Sequence, residues 1–142
     1  MSYRFLDHTA DVAVEIEAPT LGELYAEALA AFTDTVTERE RVQPAAERRF
    51  AVESADAESL LVDWLGDLLY AFEVDSLLFR DAEVEVEEDS DGCVRFTVCA
   101  RGEVYDPARH RIKVLVKAVT YHLLEVRRAD DGGWRGRVIF DI

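Results

Sequence analysis

The sequence predicts an α+β fold: a single domain, mainly antiparallel sheets with two principal amphipathic helices. Two stretches place apolar residues at helical spacing, while most other apolar stretches alternate apolar and polar residues as half-buried strands do. The strands are joined by hairpin turns such as Asp91-Gly92 rather than by regular helical crossovers. Hairpins form antiparallel sheets, and helices beside such sheets define the α+β class. With 142 residues and no internal linker, the chain should form one domain over residues 1–142.

The first half of the chain is expected to hold three strands and two helices. Strand character is found in residues 3–6, 12–17 and 48–53. Thr20 and Glu23 have the spacing of a capping box, so the first helix should begin there and end near Thr37. Asp56 can cap the second helix, which we expect to be the core helix. The apolar stripes of the two helices are Leu21, Leu24, Tyr25, Ala28, Leu29, Phe32 and Val36, and Leu60, Leu61, Trp64, Leu65, Leu68, Leu69 and Phe72.

The second half of the chain is expected to be mostly strand. The predicted strands cover residues 82–87, residues 93–102, the stretch from Val119 onward and residues 134–142. The stretch 103–113 contains Pro107 and reads as irregular. Residues 114–128 leave two alternatives open, a strand with an uncertain entry or a short helix that feeds a strand. The turn before the last strand is Asp130-Asp131-Gly132-Gly133.

Charge and composition exclude several classes of protein. The formal net charge is −14, and Lys113 and Lys117 are the only lysines. Nucleic-acid binding draws affinity from basic side chains that neutralise phosphates, so we expect no direct binding to RNA or DNA. The acidic surface suits either a salt-rich cytosol or a basic protein partner. No apolar run has the length of a membrane span or the pattern of a signal peptide, so we expect a cytoplasmic protein without membrane contact. Cys93 and Cys99 lie on one predicted strand, about 20 Å apart at strand rise, so they cannot form a bridge and are interpreted as reduced core thiols. No CxxC motif supports a zinc site.

A cluster of polar residues between the first two strands is the main candidate site. Asp7, His8, Thr9 and Asp11 lie within the sequence Leu6-Asp7-His8-Thr9-Ala10-Asp11, and the chain ends in Asp141-Ile142. If the two ends meet, the Asp11 and Asp141 side chains and the Ile142 carboxylate converge. Hard divalent cations prefer such oxygen donors, and carboxylates that converge without a cation repel one another. The alternative is that Asp11 caps a turn and Asp141 is simply solvated.

A second candidate set combines Glu103 with Lys117, Thr120, Tyr121 and His122. Strand alternation would place Lys117 and Tyr121 on one face and Thr120 and His122 on the other. A salt bridge from Lys117 to Glu103 or a neighbouring acid is favoured over a catalytic lysine. The chain has no GxxxxGK[ST] or GxGxxG motif and no recognisable nucleophile setting, so we expect no enzyme that hydrolyses nucleotides.

The motifs taken together resemble the archease family along the whole chain. The resemblance is carried by Leu6-Asp7-His8-Thr9-Ala10-Asp11, by Lys117-Ala118-Val119-Thr120-Tyr121-His122, by the Gly102-Glu103 pair and by Asp141-Ile142. The order of the two helices and the Phe79-Arg80-Asp81 step are also similar to that family.

This resemblance implies an accessory protein without catalysis of its own, which activates an RtcB-type RNA ligase in tRNA splicing. Members of the family promote guanylylation and multiple turnover of the ligase, and they carry a calcium-type metal site. Its ligands would fall on Asp11, Asp141 and Ile142, while His8, Glu103, Lys117 and His122 would face the partner or shape the contact region. A chaperone or specificity modulator of a tRNA methyltransferase remains the alternative role, and a metal-dependent hydrolase would need a base within reach of bound water.

Overall fold

The computed structural model describes residues 11–142, and this part of the chain contains two α-helices and two three-stranded antiparallel sheets. The predicted α+β class is confirmed, whereas the strand predicted at residues 3–6 lies outside the described residues. The elements are β1 (Asp11–Ala18), α1 (Leu21–Val36), β2 (Ala46–Ser54), α2 (Ala57–Asp75), β3 (Leu77–Glu88), β4 (Val94–Val104), β5 (Ala118–Arg128) and β6 (Trp134–Asp141), with a short 3-10 turn at Arg39–Arg41. The sheets have the orders β1-β6-β5 and β2-β4-β3.

Both helices begin at the predicted caps. The Thr20 hydroxyl accepts the Glu23 N–H at 3.1 Å, and the Asp56 carboxylate accepts the Ser59 N–H at 2.7 Å. Each bond satisfies an N–H group that has no partner within the helix. α1 is followed by Thr37, as expected, and α2 by Ser76, whose left-handed backbone (φ 57°) turns the chain into β3.

Trp64 ties α2 to α1 and to the β2-β4-β3 sheet. The indole is fully buried and packs edge-to-face against Phe50 and Phe96, with ring centroids 5.2 and 5.1 Å away. Its Nε1 donates to the Tyr25 carbonyl at 2.9 Å, so the buried polar group has a partner. The expected burial of α2 is observed, but α1 is a core helix as well, with Leu24, Tyr25, Ala28 and Leu29 fully buried.

α1 also contacts the other sheet at the position that precedes the last carboxylate side chain. Phe32 packs edge-to-face on the fully buried Phe140, with ring centroids 5.8 Å apart. Strand residues alternate between the two faces, so Asp141 projects away from the core side that holds Phe140. The buried ring therefore fixes where this carboxylate is presented.

The connection from β4 to β5 crosses from one sheet to the other without a helix or strand. Residues 105–117 are irregular, which confirms the prediction for 103–113 apart from the last residues of β4. The alternatives left open at residue 114 resolve into a loop that enters β5 at Ala118, without an intervening helix. The Thr37 hydroxyl donates to the Arg111 carbonyl and the Lys113 N–H to the Val36 carbonyl, each at 2.7 Å. These bonds attach the loop to the end of α1.

The two cysteines are free thiols, as predicted, but neither belongs to the core. Both are half-buried, and the Cys93 thiol donates to a Glu53 carboxylate oxygen at 3.3 Å. That hydrogen bond, followed by partial desolvation, raises the pKa of the Cys93 thiol. The interpretation as core thiols was wrong because both residues lie on the polar side of β4 and its turn.

Neither of the helices between residues 11 and 142 has the length and hydropathy needed to cross a bilayer.

Candidate metal site and the polar clusters around it

β1 and β6 bring the Asp11 and Asp141 side chains together where β1 begins and β6 ends. This end of the sheet is called the carboxylate edge below. The strands pair antiparallel, and their register sets Asp11 directly opposite Asp141. Residues opposed in this way project from the same face, with Cβ atoms about 4.5–5.5 Å apart in general. The two positions therefore meet as the sequence analysis expected, while their role as metal ligands stays a prediction.

The charge pattern along this face changes at the Asp11 end of the β1–β6 ladder. The opposed pairs, from the far end, are Glu17–Arg135, Glu15–Arg137, Ala13–Ile139 and Asp11–Asp141. The first two pairs join opposite charges, and the Glu17 and Arg135 side chains approach to 3.3 Å. The last pair joins two acids, an arrangement that destabilises a sheet unless something offsets the repulsion.

The backbone around Asp141 is held firmly. Phe140 is fully buried, and the Ile142 side chain packs against the hydrophobic core. The two apolar neighbours face the core while the carboxylate between them stays exposed. Packing on both sides restricts the positions that the Asp141 side chain and the Ile142 main chain can occupy.

Lys117 lies beside Asp141 through its backbone. β5 flanks β6 on the side away from β1, with Ala118 opposite Asp141, and the Lys117 N–H donates to the Asp141 carbonyl at 2.7 Å. Among residues 11–142, no ion pair involves Lys117. The salt bridge expected between Lys117 and Glu103 is therefore not formed, and Lys117 belongs to the carboxylate edge instead.

Glu103 forms its own cluster at the end of β4. It is nearly buried and accepts the Gln43 N–H at 2.7 Å, two guanidinium N–H groups of Arg109, and a bond from His110 Nε2 at 2.9 Å. His110 Nδ1 accepts the Asp106 N–H at 2.8 Å, so the Nε2 atom carries the proton that is donated to Glu103. Every donor in the cluster is aimed at a carboxylate or ring acceptor.

This cluster strongly favours the charged form of Glu103. The Arg109 guanidinium is the main cause, with the Gln43 N–H and His110 adding to it, and together they lower the pKa of Glu103 to about 2 despite desolvation. The arrangement satisfies a buried charge and links β4 to the irregular connection. Glu103 is thus placed in a stabilising ion pair rather than with Thr120, Tyr121 and His122, as the second candidate set assumed.

His122 lies in an irregular part of β5, which corrects the predicted alternation. Thr120 is opposite Ile139 and Glu125 is opposite Arg137, so four residues of β5 span the place of one residue of β6. His122 and its neighbours in this bulge are exposed. The alternation that should have placed Lys117, Val119, Tyr121 and Leu123 on one face breaks down after Thr120.

Comparison with known proteins identifies the family. The model of the Archease protein family (MTH1598/TM1083) matches residues 3–142. The chain belongs to the archease family. The protein archease of Methanosarcina mazei is 39% identical over 140 residues, covering 99% of this chain and 95% of the relative. The protein archease of Methanopyrus kandleri is 38% identical over 142 residues and covers both chains completely.

A solved member of the archease family has the same fold. The solution structure of Methanobacterium thermoautotrophicum protein 1598 superposes with a TM-score of 0.76 at 33% sequence identity, and 96% of each chain is covered. The sheets and helices described above are therefore the family's architecture. The resemblance stated from the sequence motifs is confirmed.

The donors at the carboxylate edge are of the type that a hard cation prefers. Asp11 and Asp141 supply carboxylate oxygens from opposed positions, and oxygen donors are what Ca²⁺ prefers. Between residues 11 and 142, no third His, Cys, Asp or Glu completes a metal-binding group. Asp7, His8 and Thr9 lie outside the described residues. The remaining predicted donor is the Ile142 main-chain carboxylate.

Sequence reasoning missed the partners of Glu103. Arg109 and His110 lie in the stretch predicted to be irregular, and nothing in the sequence shows which acid they contact. The spacing from Glu103 gives a partial signal, because a short loop after a strand can fold back on the strand's last residues. The Gln43 N–H comes from 60 residues away and carries no sequence signal.

Proposed function

We propose that this chain is an accessory protein that activates an RtcB-type RNA ligase in tRNA splicing by promoting guanylylation and multiple turnover of the ligase. The proposal rests on membership of the archease family and on what resemblance to that family implies. The observation that carries the metal-dependent part is the register of β1 and β6, which opposes Asp11 to Asp141 in a ladder whose other charged pairs are complementary.

A divalent cation, proposed to be Ca²⁺, offsets the repulsion between the two acids. Asp11 and Asp141 hold it through their side chains, and Ile142 contributes its main-chain carboxylate in protein that ends at this residue. A cation in this position supplies a positive charge that attracts phosphate or carboxylate oxygens of a partner or its nucleotide. The chain's own residues bind and orient, and they perform no bond-making step.

The strongly acidic surface favours action on a protein rather than on RNA. A net charge of −14 repels a phosphate backbone, so contact with RNA-processing chemistry is expected through the ligase itself. Lys117 is placed beside the carboxylate edge by its backbone bond to Asp141. We propose that its ammonium group faces the ligase, together with His122 and with His8, which lies outside the described residues.

The central test is guanylylation and multiple-turnover ligation by the cognate ligase with wild-type protein and with Asp141→Asn. The variant keeps the shape of the side chain but removes one charge, so stimulation should fall at least about tenfold. The melting temperature without metal should equal or slightly exceed that of wild type, because the repulsion between Asp11 and Asp141 is relieved. The matched control is Asp130→Asn, which removes an exposed acid from the β5–β6 turn and should leave stimulation unchanged. Repeating the assay across salt concentrations measures how far the charged surface contributes.

The outcomes separate the candidate functions. Equal stimulation by Asp141→Asn and wild type would remove the metal site from the mechanism. Absence of stimulation by wild type would overturn the ligase assignment and favour the alternative role, that of a chaperone or specificity modulator of a tRNA methyltransferase. Hydrolysis of small phosphoesters by the purified chain, lost in Asp141→Asn, would instead indicate a metal-dependent hydrolase.

A further inference from the structure

The bulge in β5 is an insertion of three residues into an otherwise regular ladder. Residues 121–124 occupy the place of Val138 alone, because the register runs from Thr120–Ile139 to Glu125–Arg137. Tyr121, His122 and Leu123 are exposed, whereas Leu124 packs against the core. Leu124 is thus the residue that can face Val138, and the other three are extra.

The sheet does not need the inserted residues to keep its alternation. Before the bulge Val119 faces the core and Thr120 lies on the outer side, and after it Leu124 faces the core and Glu125 the outer side. Removing residues 121–123 would join Thr120 to Leu124 with the in–out pattern intact. The insertion therefore contributes little to the fold, and its exposed apolar groups need another explanation.

Those apolar groups are large and are presented to solvent. Tyr121 is 63% exposed and Leu123 is 56% exposed. Single exposed apolar residues are ordinary, but here two of them, separated by one residue, lie in the same bulge. Tyrosine is among the residues that most often dominate binding energy at protein interfaces.

The backbone of the bulge is strained and pinned. Leu123 has a φ of 55°, a left-handed conformation that is unfavourable for a residue with a branched side chain. Arg137 Nε donates to the Leu123 carbonyl at 2.8 Å, and the Thr120 hydroxyl donates to the Ile139 carbonyl at 3.0 Å. Strain that is held by specific bonds is characteristic of functional segments.

We propose that Tyr121 and Leu123 form a docking knob that inserts into an apolar pocket, bordered by basic side chains, on the ligase. This inference rests on the proposed function, which it deepens by assigning a surface to the partner. The knob follows Thr120, two positions along β5 from Ala118, which lies opposite Asp141, so docking there sets the carboxylate edge against the partner.

The net charge of the chain favours the ligase over a second copy of the chain or RNA as the partner of the docking knob. Two copies of a chain with a net charge of −14 repel each other, which disfavours a homodimer through the knob. The same charge disfavours RNA as the occupant. A partner with basic side chains around an apolar pocket would gain both steering from the net negative charge of the chain and burial of the two exposed side chains.

The test measures the dissociation constant between the full chain and the cognate ligase. The first variant combines Tyr121→Ser with Leu123→Ser, and the second deletes residues 121–123, which keeps the sheet register. We expect each to weaken binding roughly 10- to 100-fold, the range of one or two interface hot spots. The matched control is Val104→Ser, which removes a similarly exposed apolar residue (58%) from the other sheet and should not change affinity.

Calcium binding and oligomeric state are measured on the same proteins. We expect calcium affinity to stay the same in the knob variants, because none of the proposed ligands is changed. If both knob variants bind the ligase as tightly as wild type does, the docking knob is overturned and the proposed function stands. No binding of wild type to the ligase would overturn the proposed function and the knob with it. A wild-type dimer that dissociates on deletion of residues 121–123 would also overturn the knob, since a second copy would be its occupant.

Discussion

The structure contains two carboxylate sites whose negative charges have opposite surroundings. Glu103, at the end of β4, is surrounded by a guanidinium, an imidazole and a backbone N–H that all donate to it. Asp11 and Asp141, at the edge of the other sheet, are set against each other by the register. Within residues 11–142, no basic side chain pairs with either of the two aspartates.

This is the difference expected between a site that stabilises the fold and a site that is open to a ligand. A buried charge whose bonding capacity is filled by the protein has nothing left to offer a ligand, and its role is to hold the loop. A pair of like charges at an edge is unfavourable in the free protein and becomes favourable only when a cation arrives. Proteins that otherwise follow local folding rules tend to break them at functional positions, and the opposed acids Asp11 and Asp141 break such a rule.

The largest effect on stability is expected at the satisfied site. Glu103→Gln removes the charge that Arg109 and His110 bind, and it should lower the free energy of unfolding at pH 7 by about 1–3 kcal/mol. Because the pKa of Glu103 is lowered to about 2, its contribution is fully present above about pH 4.5 and is lost as the pH falls through 2. Urea unfolding at a series of pH values should therefore show the wild type and the variant converging below pH 4.5.

Glu83→Gln is the control for this experiment. Its side chain is 76% exposed and pairs with Arg101 on the outside of the same sheet, so its removal should cost less than about 0.5 kcal/mol. A constant difference between Glu103→Gln and wild type from pH 7 down to pH 2 would show that the charge of Glu103 does not stabilise the fold.

How well each site could be predicted follows from the range of its interactions. Thr20 and Asp56 cap their helices through bonds to residues three positions away, so local spacing was enough to find them. The meeting of Asp11 and Asp141 was also predictable, because each adjoins a strong strand pattern. The surroundings of Glu103 depend on a loop without a period, and the bulge after Thr120 interrupts a pattern that reads as continuous strand.

A smaller effect is expected at the end of β6. Extending the chain by two residues beyond Ile142 moves the terminal charge away from Asp141, and calcium affinity should fall roughly tenfold if the Ile142 carboxylate is a ligand. Calorimetric titration of extended protein and of protein that ends at Ile142 measures this. The melting temperature without calcium should be the same for both, and equal calcium affinity would exclude Ile142 as a ligand.

The smallest expected effect is the most discriminating, because the substitution should raise the stability of the protein rather than lower it. Asp11→Asn removes one of two opposed charges, and like charges directly opposite destabilise a sheet by roughly 0.2–1 kcal/mol. The variant should therefore be more stable than wild type when calcium is absent. It should also lose the rise in melting temperature that calcium produces in wild type, since binding to the folded state alone stabilises it.

Glu17→Gln provides the matched control on the same strand and the same face. Glu17 is opposed to Arg135 rather than to an acid, so its neutralisation should slightly lower stability and leave the calcium-induced rise intact. If Asp11→Asn instead loses stability in the absence of calcium, as Glu17→Gln does, then the Asp11–Asp141 pair is not under repulsion. The contrast between the two carboxylate sites would then have to be explained without a cation.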